Sequence, residues 1–165
     1  MRTFKGLRLR TGAAAGVAAV ALLAGSVPAH ANDDERNLFD PLACADQYRS
    51  GEFAFHVFYN TNLGGSYRNI GFSVYDFDHL RVGGDDPSSN PLRFCAFGAS
   101  SPWPGSSQNI KNNAASARND HERYSARVYY NSGYRGVYDH LGPEESRPRF
   151  TKVYNNDASF QWTSN

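Results

Sequence analysis

HVFYNTNLGGSYRNIG (His56–Gly71) and RVYYNSGYRGVYDHLG (Arg127–Gly142) are two copies of one pattern and align without a gap. A shorter pair follows in the same order, NNAAS at Asn112–Ser116 and NNDAS at Asn155–Ser159. The identical pairs in the long copies are Val57/Val128, Tyr59/Tyr130, Asn60/Asn131, Gly65/Gly136, Tyr67/Tyr138 and Gly71/Gly142. Two motifs repeated in the same order predict two copies of one supersecondary unit that pack together.

Each long copy has the composition of a β-hairpin. FAFHVFY (Phe53–Tyr59) and ARVYY (Ala126–Tyr130) are rich in the aromatic and β-branched residues that favour strands. Gly64-Gly65 and Gly136 then supply the backbone freedom that a tight turn needs. Long helical periodicity is absent, and short strand-like runs alternate with turn residues. The pattern predicts an all-β domain.

The first copy carries an insertion that the second lacks. Forty residues, 72–111, separate Gly71 from Asn112, whereas twelve separate Gly142 from Asn155. Long irregular insertions in compact domains are either functional loops or tolerated surface segments, and both interpretations stay open here. Trp103 lies in this insertion between two prolines. A stiff recognition loop and an anchor packed against the domain are both consistent with that environment.

The N-terminus resembles a secretory signal peptide. Arg2, Lys5, Arg8 and Arg10 precede the small and apolar run Ala13–Leu23. Ala29-His30-Ala31 then forms a small-x-small cleavage site. We therefore expect a signal peptide at 1–31, an N-terminal extension at 32–52, and secretion of the mature chain to the extracellular space. The apolar run is too short for a membrane span, so no membrane association is expected after cleavage.

Removal of that leader changes the charge of the chain. The four lost cations leave 13 of the 17 Lys and Arg residues against 16 Asp and Glu, so the formal net charge falls from +1 to −3. A nucleic-acid partner is disfavoured, because such proteins concentrate positive charge. Cys44 and Cys95 are expected to form one disulfide in an oxidising compartment. The length suits a single domain, which we expect to be a monomer.

The repeated motifs resemble those of βγ-crystallin domains. Tyr130-Asn-Ser-Gly-Tyr134-Arg-Gly136 is similar to the folded hairpin that opens each Greek-key unit of that family, and the first copy departs from it at Leu63. NNAAS and NNDAS resemble the paired Asn/Asp-x-x-Ser loops that close each unit. The resemblance implies a two-sheet Greek-key sandwich over 53–165, with motif one at 53–119 and motif two at 126–162.

A signal peptide followed by one such domain is most similar to a secreted bacterial peptidase-inhibitor family of the metalloproteinase-inhibitor type. The resemblance implies an inhibitor of an extracellular peptidase, although no reactive-site residue of that family has a match here. We take the disulfide-tethered part of the insertion as the candidate inhibitory loop. Its candidate residues are Phe94, Cys95, Ala96, Phe97 and Trp103. A loop fixed before binding loses little entropy on docking.

The closing loops also suggest a calcium site, since Ca²⁺ prefers hard oxygen ligands. In calcium-binding βγ domains, the resemblance implies, each site takes oxygens from both loops. The candidate ligands are Asn112, Asn113, Ser116, Asn155, Asn156, Asp157 and Ser159. Ala117 and Phe160 stand where the family usually has a second serine. The alternative function is therefore a calcium-binding or structural protein, and in a further alternative these residues only close turns.

Catalytic motifs are not evident, and we expect a non-enzyme that requires no cofactor. No zinc-binding His-Glu-x-x-His or nucleophile-elbow Gly-x-Ser-x-Gly appears. The segment YDFDHL (Tyr75–Leu80) holds the most chemically suggestive cluster, Asp76, Asp78 and His79. Its alternation of aromatic and polar residues predicts an ordinary two-faced strand rather than a catalytic or metal site.

Overall fold

In the computed structural model, the described residues, 29–46, 51–83 and 90–164, form two antiparallel sheets with one short helix. The helix α1 spans Ala29–Phe39, and a 3-10 turn follows at Pro41–Cys44. The strands are β1 Phe55–Asn60, β2 Gly64–Ile70, β3 Ser116–Asn119, β4 Tyr124–Asn131, β5 Arg135–Leu141, β6 Ser146–Arg147 and β7 Ser159–Ser164. One sheet has the order β2-β1-β3-β6, and the other has the order β5-β4-β7.

The two long copies form two hairpins of the same geometry. In the first, Phe58 pairs with Tyr67, and the register then shifts so that Asn60 pairs with Gly64. The second hairpin repeats this shift, with the pairs Tyr129/Tyr138 and Asn131/Arg135. Gly65 and Gly136 have φ values of +73° and +82°, which explains why glycine recurs there.

Each Greek-key unit contributes one short segment that pairs with the sheet of the other unit. The short strand β6 belongs to the second unit but pairs with β3 in the first sheet. Reciprocally, Val74 follows β2 and forms an antiparallel bridge with Phe160 of β7 in the second sheet. The beginning of the predicted insertion is therefore the third, exchanged segment of the first unit. This exchange confirms the predicted all-β Greek-key sandwich of two homologous motifs.

The core lies between the two sheets and is filled from both units. Phe55 of β1 stacks on Phe160 of β7 with ring centroids 4.3 Å apart and an interplanar angle of 15°. Both rings are fully buried, and Trp162 packs edge-on against each of them. Burial of a phenylalanine side chain contributes roughly 1.5–3 kcal/mol, so these contacts hold the two units together.

Helix α1 was not anticipated, because the sequence predicts only strands and turns. Its position depends on tertiary contacts with the end of β2. The fully buried Asn37 accepts hydrogen bonds from the backbone N–H groups of Gly71 and Phe72 through Oδ1 and donates one to the Phe72 carbonyl. Of the predicted leader, only Ala29–Ala31 lie within the described residues, in the first turn of α1.

A second prediction, that YDFDHL forms a strand, was wrong. Tyr75–Phe77 and the residues after them are turns and irregular backbone, and within this part of the described chain only Val74 and Leu80 form isolated bridges. The carboxylate of Asp76 accepts a hydrogen bond from the backbone N–H of Asp78. A side chain that binds its own backbone two residues later favours a turn over a strand.

Candidate functional site

The predicted disulfide joins Cys44 and Cys95, with the two Cα atoms 5.6 Å apart. It connects the 3-10 turn at Pro41–Cys44 to the inserted segment. Phe94 and Cys95 are buried, with exposed fractions of 1% and 2%. The backbone N–H of Cys95 donates to the Tyr67 carbonyl, and that of Phe94 donates to Gln108. These two residues of the candidate inhibitory loop therefore fix its base rather than offer surface to a partner.

The exposed part of the loop comprises Ala96 and the stretch from Ala99 to Pro104. The N–H of Trp103 donates to the Phe97 carbonyl at 3.1 Å, and the N–H of Ser66 donates to the Pro104 carbonyl at 2.8 Å. A Cβ atom at Gly105 would lie 2.2 Å from the Tyr59 ring, so only glycine permits this approach of the loop to β1. The loop is thus held at both ends by β1, β2 and the disulfide.

The rings of Tyr67, Phe97 and Trp103 contact one another in that order, from the buried Tyr67 to the exposed part of the loop. Tyr67 lies 4.6 Å from Phe97, and Phe97 lies 5.2 Å from Trp103, between ring centroids. Trp103 remains 48% exposed, although one side of its ring contacts Phe97. The two sequence interpretations of Trp103 are therefore compatible, since the ring is anchored on one side and accessible on the other.

A groove of about 480 Å³ lies beside Trp103. Its other walls are Tyr67, Pro104 and the hairpin residues Leu63–Gly65, and the exposed Asp46 lies at its edge. Burial, with a smaller contribution from Asp46, raises the pKa of Tyr67, whose hydroxyl donates to the Ala45 carbonyl. An exposed ring beside a groove with one carboxylate at its edge can accept an apolar or basic side chain of a protein partner.

Two equivalent backbone hydrogen bonds join the two closing loops. The N–H of Asn112 donates to the Asp157 carbonyl, and the N–H of Asn155 donates to the Ala114 carbonyl, at 2.8 and 3.0 Å. Asn112 and Asn155 have φ values of +61° and +51°, a left-handed conformation in which asparagine is enriched. The repeated asparagines therefore have a conformational role in the fold.

The two serines of these loops are fully buried and close the two hairpins. Ser116 Oγ donates to the Asn60 carbonyl and accepts a hydrogen bond from the N–H of Leu63. Ser159 Oγ makes the equivalent pair of bonds with Asn131 and Tyr134. Each hydroxyl thus donates one hydrogen bond and accepts one, which leaves one lone pair of its oxygen unused.

The side-chain oxygens of three other predicted calcium ligands, Asn113, Asn156 and Asp157, differ in how far hydrogen bonds already occupy them. Asn113 and Asn156 donate through Nδ2 to backbone carbonyls, which leaves Oδ1 of each amide as an oxygen that could bind a cation. Asp157 is fully buried, its Oδ1 accepts the N–H of Ala114, and its Oδ2 has no hydrogen-bond partner. These three oxygens have the chemistry that Ca²⁺ prefers.

The environment of Asp157 strongly disfavours its ionised form. Burial raises the pKa of this carboxyl to about 8, although the backbone N–H groups of Ala114, Asp157 and Asn113 act in the opposite direction. In the first copy the equivalent position is Ala114. A carboxyl group thus occupies a position where the other unit places a methyl group.

Ion pairs within the inserted segment hold the Asp76 cluster together. Asp76 contacts Lys111 at 2.9 Å and His79 at 3.2 Å, and Lys111 also contacts Asp78 at 3.3 Å. The pKa of Asp76 is lowered because hydrogen bonds from Asp78 N–H, Lys111 and Ser132 outweigh the opposing effect of burial. Within 29–46, 51–83 and 90–164, no group of three or more His, Cys, Asp and Glu side chains is arranged to hold a metal ion.

Comparison with known proteins gives a similarity of fold. No family model matches the chain, and no curated protein matches it. A solved structure described as "Evolution of the eye lens beta-gamma-crystallin domain fold" has 10% identity and a TM-score of 0.47, over 73% of this chain and 95% of that one. The N-terminal domain of protein S has 17% identity and a TM-score of 0.44, over 67% and 94%. A βγ-crystallin domain from Flavobacterium johnsoniae has 12% identity and a TM-score of 0.44, over 68% and 96%.

The fold class of this protein is βγ-crystallin-like, with two exchanged Greek-key units and one disulfide, Cys44–Cys95. Sequence reasoning missed two features of the site. It did not detect the docking of α1, and it did not detect the burial of Asp157, although the alignment of Asp157 with Ala114 was a signal for it. No helix among the described residues is both long and apolar enough to span a membrane.

Proposed function

We propose that the protein is a secreted inhibitor of an extracellular peptidase and that it binds through Ala96 and the stretch Ala99–Pro104. The observation that supports this proposal most directly is Trp103, a half-exposed aromatic ring on a loop fixed at both ends. Binding hot spots are enriched in tryptophan, and a loop fixed before binding avoids much of the entropy cost of docking. Cys95 at the base and Pro104 at the end keep this surface in place.

The expected mode of inhibition is steric occlusion of the peptidase cleft. The exposed stretch would enter the cleft, while Trp103 and the adjacent groove would contact its rim. Asp46 at the edge of the groove favours a target that places a basic side chain there. The hydrogen bond from the N–H of Ser66 to the Pro104 carbonyl would help to keep the inserted backbone from relaxing into a cleavable conformation.

Substitution of Trp103 by alanine tests this surface. We expect the inhibition constant for the sensitive peptidase to rise by about 30-fold or more, as for a hot-spot side chain. Tyr130→Ala is the matched control, because Tyr130 is 46% exposed but lies on β4 of the other unit. The measurement is residual activity of metallo-, serine and cysteine peptidases against inhibitor concentration. Equal inhibition by wild type and Trp103→Ala would place the binding surface elsewhere.

Calcium binding is a second candidate function, supported by the buried Oδ2 of Asp157, which lacks a partner. Ca²⁺ that binds only the folded protein must raise its melting temperature by mass action. We expect a higher melting temperature in millimolar calcium than in chelator, and we expect Asp157→Asn to reduce this gain. Magnesium at the same concentration controls for ionic strength.

The serine variants Ser116→Ala and Ser159→Ala need a different comparison. Each removes a hydroxyl that closes a hairpin, so each lowers the melting temperature even without calcium. Only the increment produced by calcium, not the starting stability, therefore reports on binding. A melting curve that is unchanged between chelator and calcium would favour the turn-closing role of both loops.

A further inference from the structure

One end of the sandwich contains a small recess walled by aromatic rings. It lies where the β3–β4 connection passes the ends of β2 and β7, and its volume is about 230 Å³. Three of its walls are the rings of His121, Tyr124 and Trp162, and the carboxylate-bearing Glu52 lines a fourth side. The recess is lined by none of the inserted residues that we propose to contact a peptidase.

The rings stand at steep angles to one another and so form a box rather than a flat platform. His121 and Tyr124 have centroids 4.8 Å apart and an interplanar angle of 74°. His121 and Trp162 have centroids 5.3 Å apart and an angle of 65°. A flat sugar ring stacks best on one exposed face, whereas several inclined rings surround a rounded group.

We propose that this recess binds an organic cation that carries a trimethylammonium group. Aromatic faces attract cations, and boxes of rings are suited to quaternary ammonium groups. Such a group has no N–H to satisfy, so it needs few hydrogen-bond acceptors inside the recess. Glu52 supplies a negative charge at the rim.

Hydrogen bonds within the protein fix two of the rings, Trp162 and His121, without a ligand. Trp162 Nε1 donates to the Gly71 carbonyl at 2.9 Å, which fixes the indole ring. His121 Nδ1 accepts the backbone N–H groups of Arg123 and Tyr124 at 3.1 and 3.3 Å. These two hydrogen bonds hold the imidazole ring in its orientation at the wall of the recess.

Glu52 is also held in place, because both of its carboxylate oxygens bind Arg36. The guanidinium of Arg36 in turn lies 4.6 Å from the centroid of the Phe72 ring. This pairing offsets part of the negative charge of Glu52. The aromatic rings, rather than the carboxylate, should therefore supply most of the affinity.

The test uses the two tryptophan indole N–H signals of the ¹⁵N-labelled full-length protein as internal reporters. Choline chloride should shift the Trp162 signal and leave the Trp103 signal in place, with assignment by Trp103→Phe. The uncharged isostere 3,3-dimethylbutan-1-ol should produce no comparable shift. Phosphatidylcholine vesicles form a second arm, which distinguishes a lipid headgroup from the free cation.

Variants of Tyr124 test whether its aromatic ring contributes to choline binding. Tyr124 is 47% exposed, so Tyr124→Ala is expected to fold, and it should weaken choline binding by about 3- to 10-fold. Tyr124→Phe should retain binding, and Tyr130→Ala on the same strand should not change it. The proposal is overturned if choline causes no shift, if the isostere shifts Trp162 equally, if Tyr124→Ala binds as wild type does, or if only oligosaccharides shift the signal. The test does not involve a peptidase, so its outcome is separable from that of the inhibitor proposal.

Discussion

Replacement of Asp157 by asparagine is expected to stabilise the protein at pH 8 and to leave its stability at pH 4 almost unchanged. The carboxyl is fully buried, its Oδ2 has no hydrogen-bond partner, and burial raises its pKa to about 8. In the unfolded chain, the pKa of an aspartate is about 4. The folded state thus binds this proton more tightly than the unfolded state does.

The sign of the pH dependence follows from that difference. The contribution of the protonated carboxyl is fully present below about pH 4 and is lost as the pH rises through about 8, at roughly 1.4 kcal/mol per pH unit. Asparagine mimics the neutral carboxyl and still accepts the N–H of Ala114. The difference in unfolding free energy between Asp157→Asn and wild type should therefore grow steadily from pH 4 to pH 8.

Denaturant unfolding at a series of pH values, in chelator, measures this difference. The difference between the two curves is needed because other groups also titrate. Burial lowers the pKa of His56, for example, which costs stability as the pH falls.

Asp139→Asn is the matched control with the opposite expectation. Hydrogen bonds from Thr151, Lys152 and Val153 outweigh burial and lower the pKa of Asp139, so this variant should lose stability at neutral pH. Parallel curves for wild type and Asp157→Asn would show that Asp157 is not titrating in a buried position.

Substitution of Arg68 by methionine is expected to cause the largest loss of stability. Arg68 is only 6% exposed and donates to the carbonyls of Asn37, Leu38 and Arg93. The first two carbonyls belong to the last turn of α1, where helix carbonyls lack intrahelical partners. Burial lowers the pKa of Arg68 to about 10, so the side chain is still charged at neutral pH.

Methionine keeps most of the side-chain volume but leaves those carbonyls without a donor. Loss of partners for buried polar groups costs about 1–3 kcal/mol each, so we expect a total of roughly 3 kcal/mol or more. For a domain of this size, the melting temperature should fall by about 10 °C. The N-terminal extension should also become sensitive to limited proteolysis, because α1 loses its attachment to β2.

Arg68→Lys refines the test, since one ammonium group cannot reach all the carbonyls that the planar guanidinium spans. It should lie between wild type and Arg68→Met. Arg93→Met is the control, because Arg93 is exposed and its side chain donates to the Ser107 carbonyl. A melting temperature for Arg68→Met within about 2 °C of wild type would contradict the anchoring role of Arg68.

The repeat made the hairpins predictable, because both copies place the same residue types at the same points of the bulged turn. The two-sheet sandwich was predictable as well, since two copies of one unit must bury their apolar faces against each other. Helix α1 could not be predicted in this way. Its sequence, AHANDDERNLF, is short and polar, and the helix depends on long-range contacts from Asn37 and Arg68.

At Tyr75–Leu80 the sequence predicted a strand that the structure does not contain, whereas α1 is an element that the sequence did not predict. Alternation of aromatic and polar residues is typical of a strand, but Asp76 binds the backbone of Asp78 and the side chain of Lys111, which lies 35 residues later. Local pattern and tertiary contact thus conflicted, and the tertiary contact prevailed. Burial of Asp157 depended in the same way on contact between two loops that lie far apart in the sequence.

The candidate inhibitory loop was located in the sequence by its lack of a counterpart in the second copy. The sequence did not reveal which of its residues are accessible. Phe94 and Cys95 lie beneath Ala96 and the stretch Ala99–Pro104, since apolar residues at the base of a tethered loop pack onto the sheet. The surface proposed to bind a peptidase is therefore narrower than the sequence alone indicated.

Inhibition of a panel of extracellular metallo-, serine and cysteine peptidases, measured before and after loss of the disulfide, tests the central proposal most directly. We expect the intact protein to inhibit at least one of them, and the paired variant Cys44→Ala/Cys95→Ala to inhibit it more weakly, because the base of the loop is no longer attached to the N-terminal extension. Circular dichroism of both proteins checks that the sheets persist. Failure of the intact protein to inhibit any peptidase class, or equal inhibition by the paired variant, would contradict the proposal of a disulfide-tethered inhibitory loop.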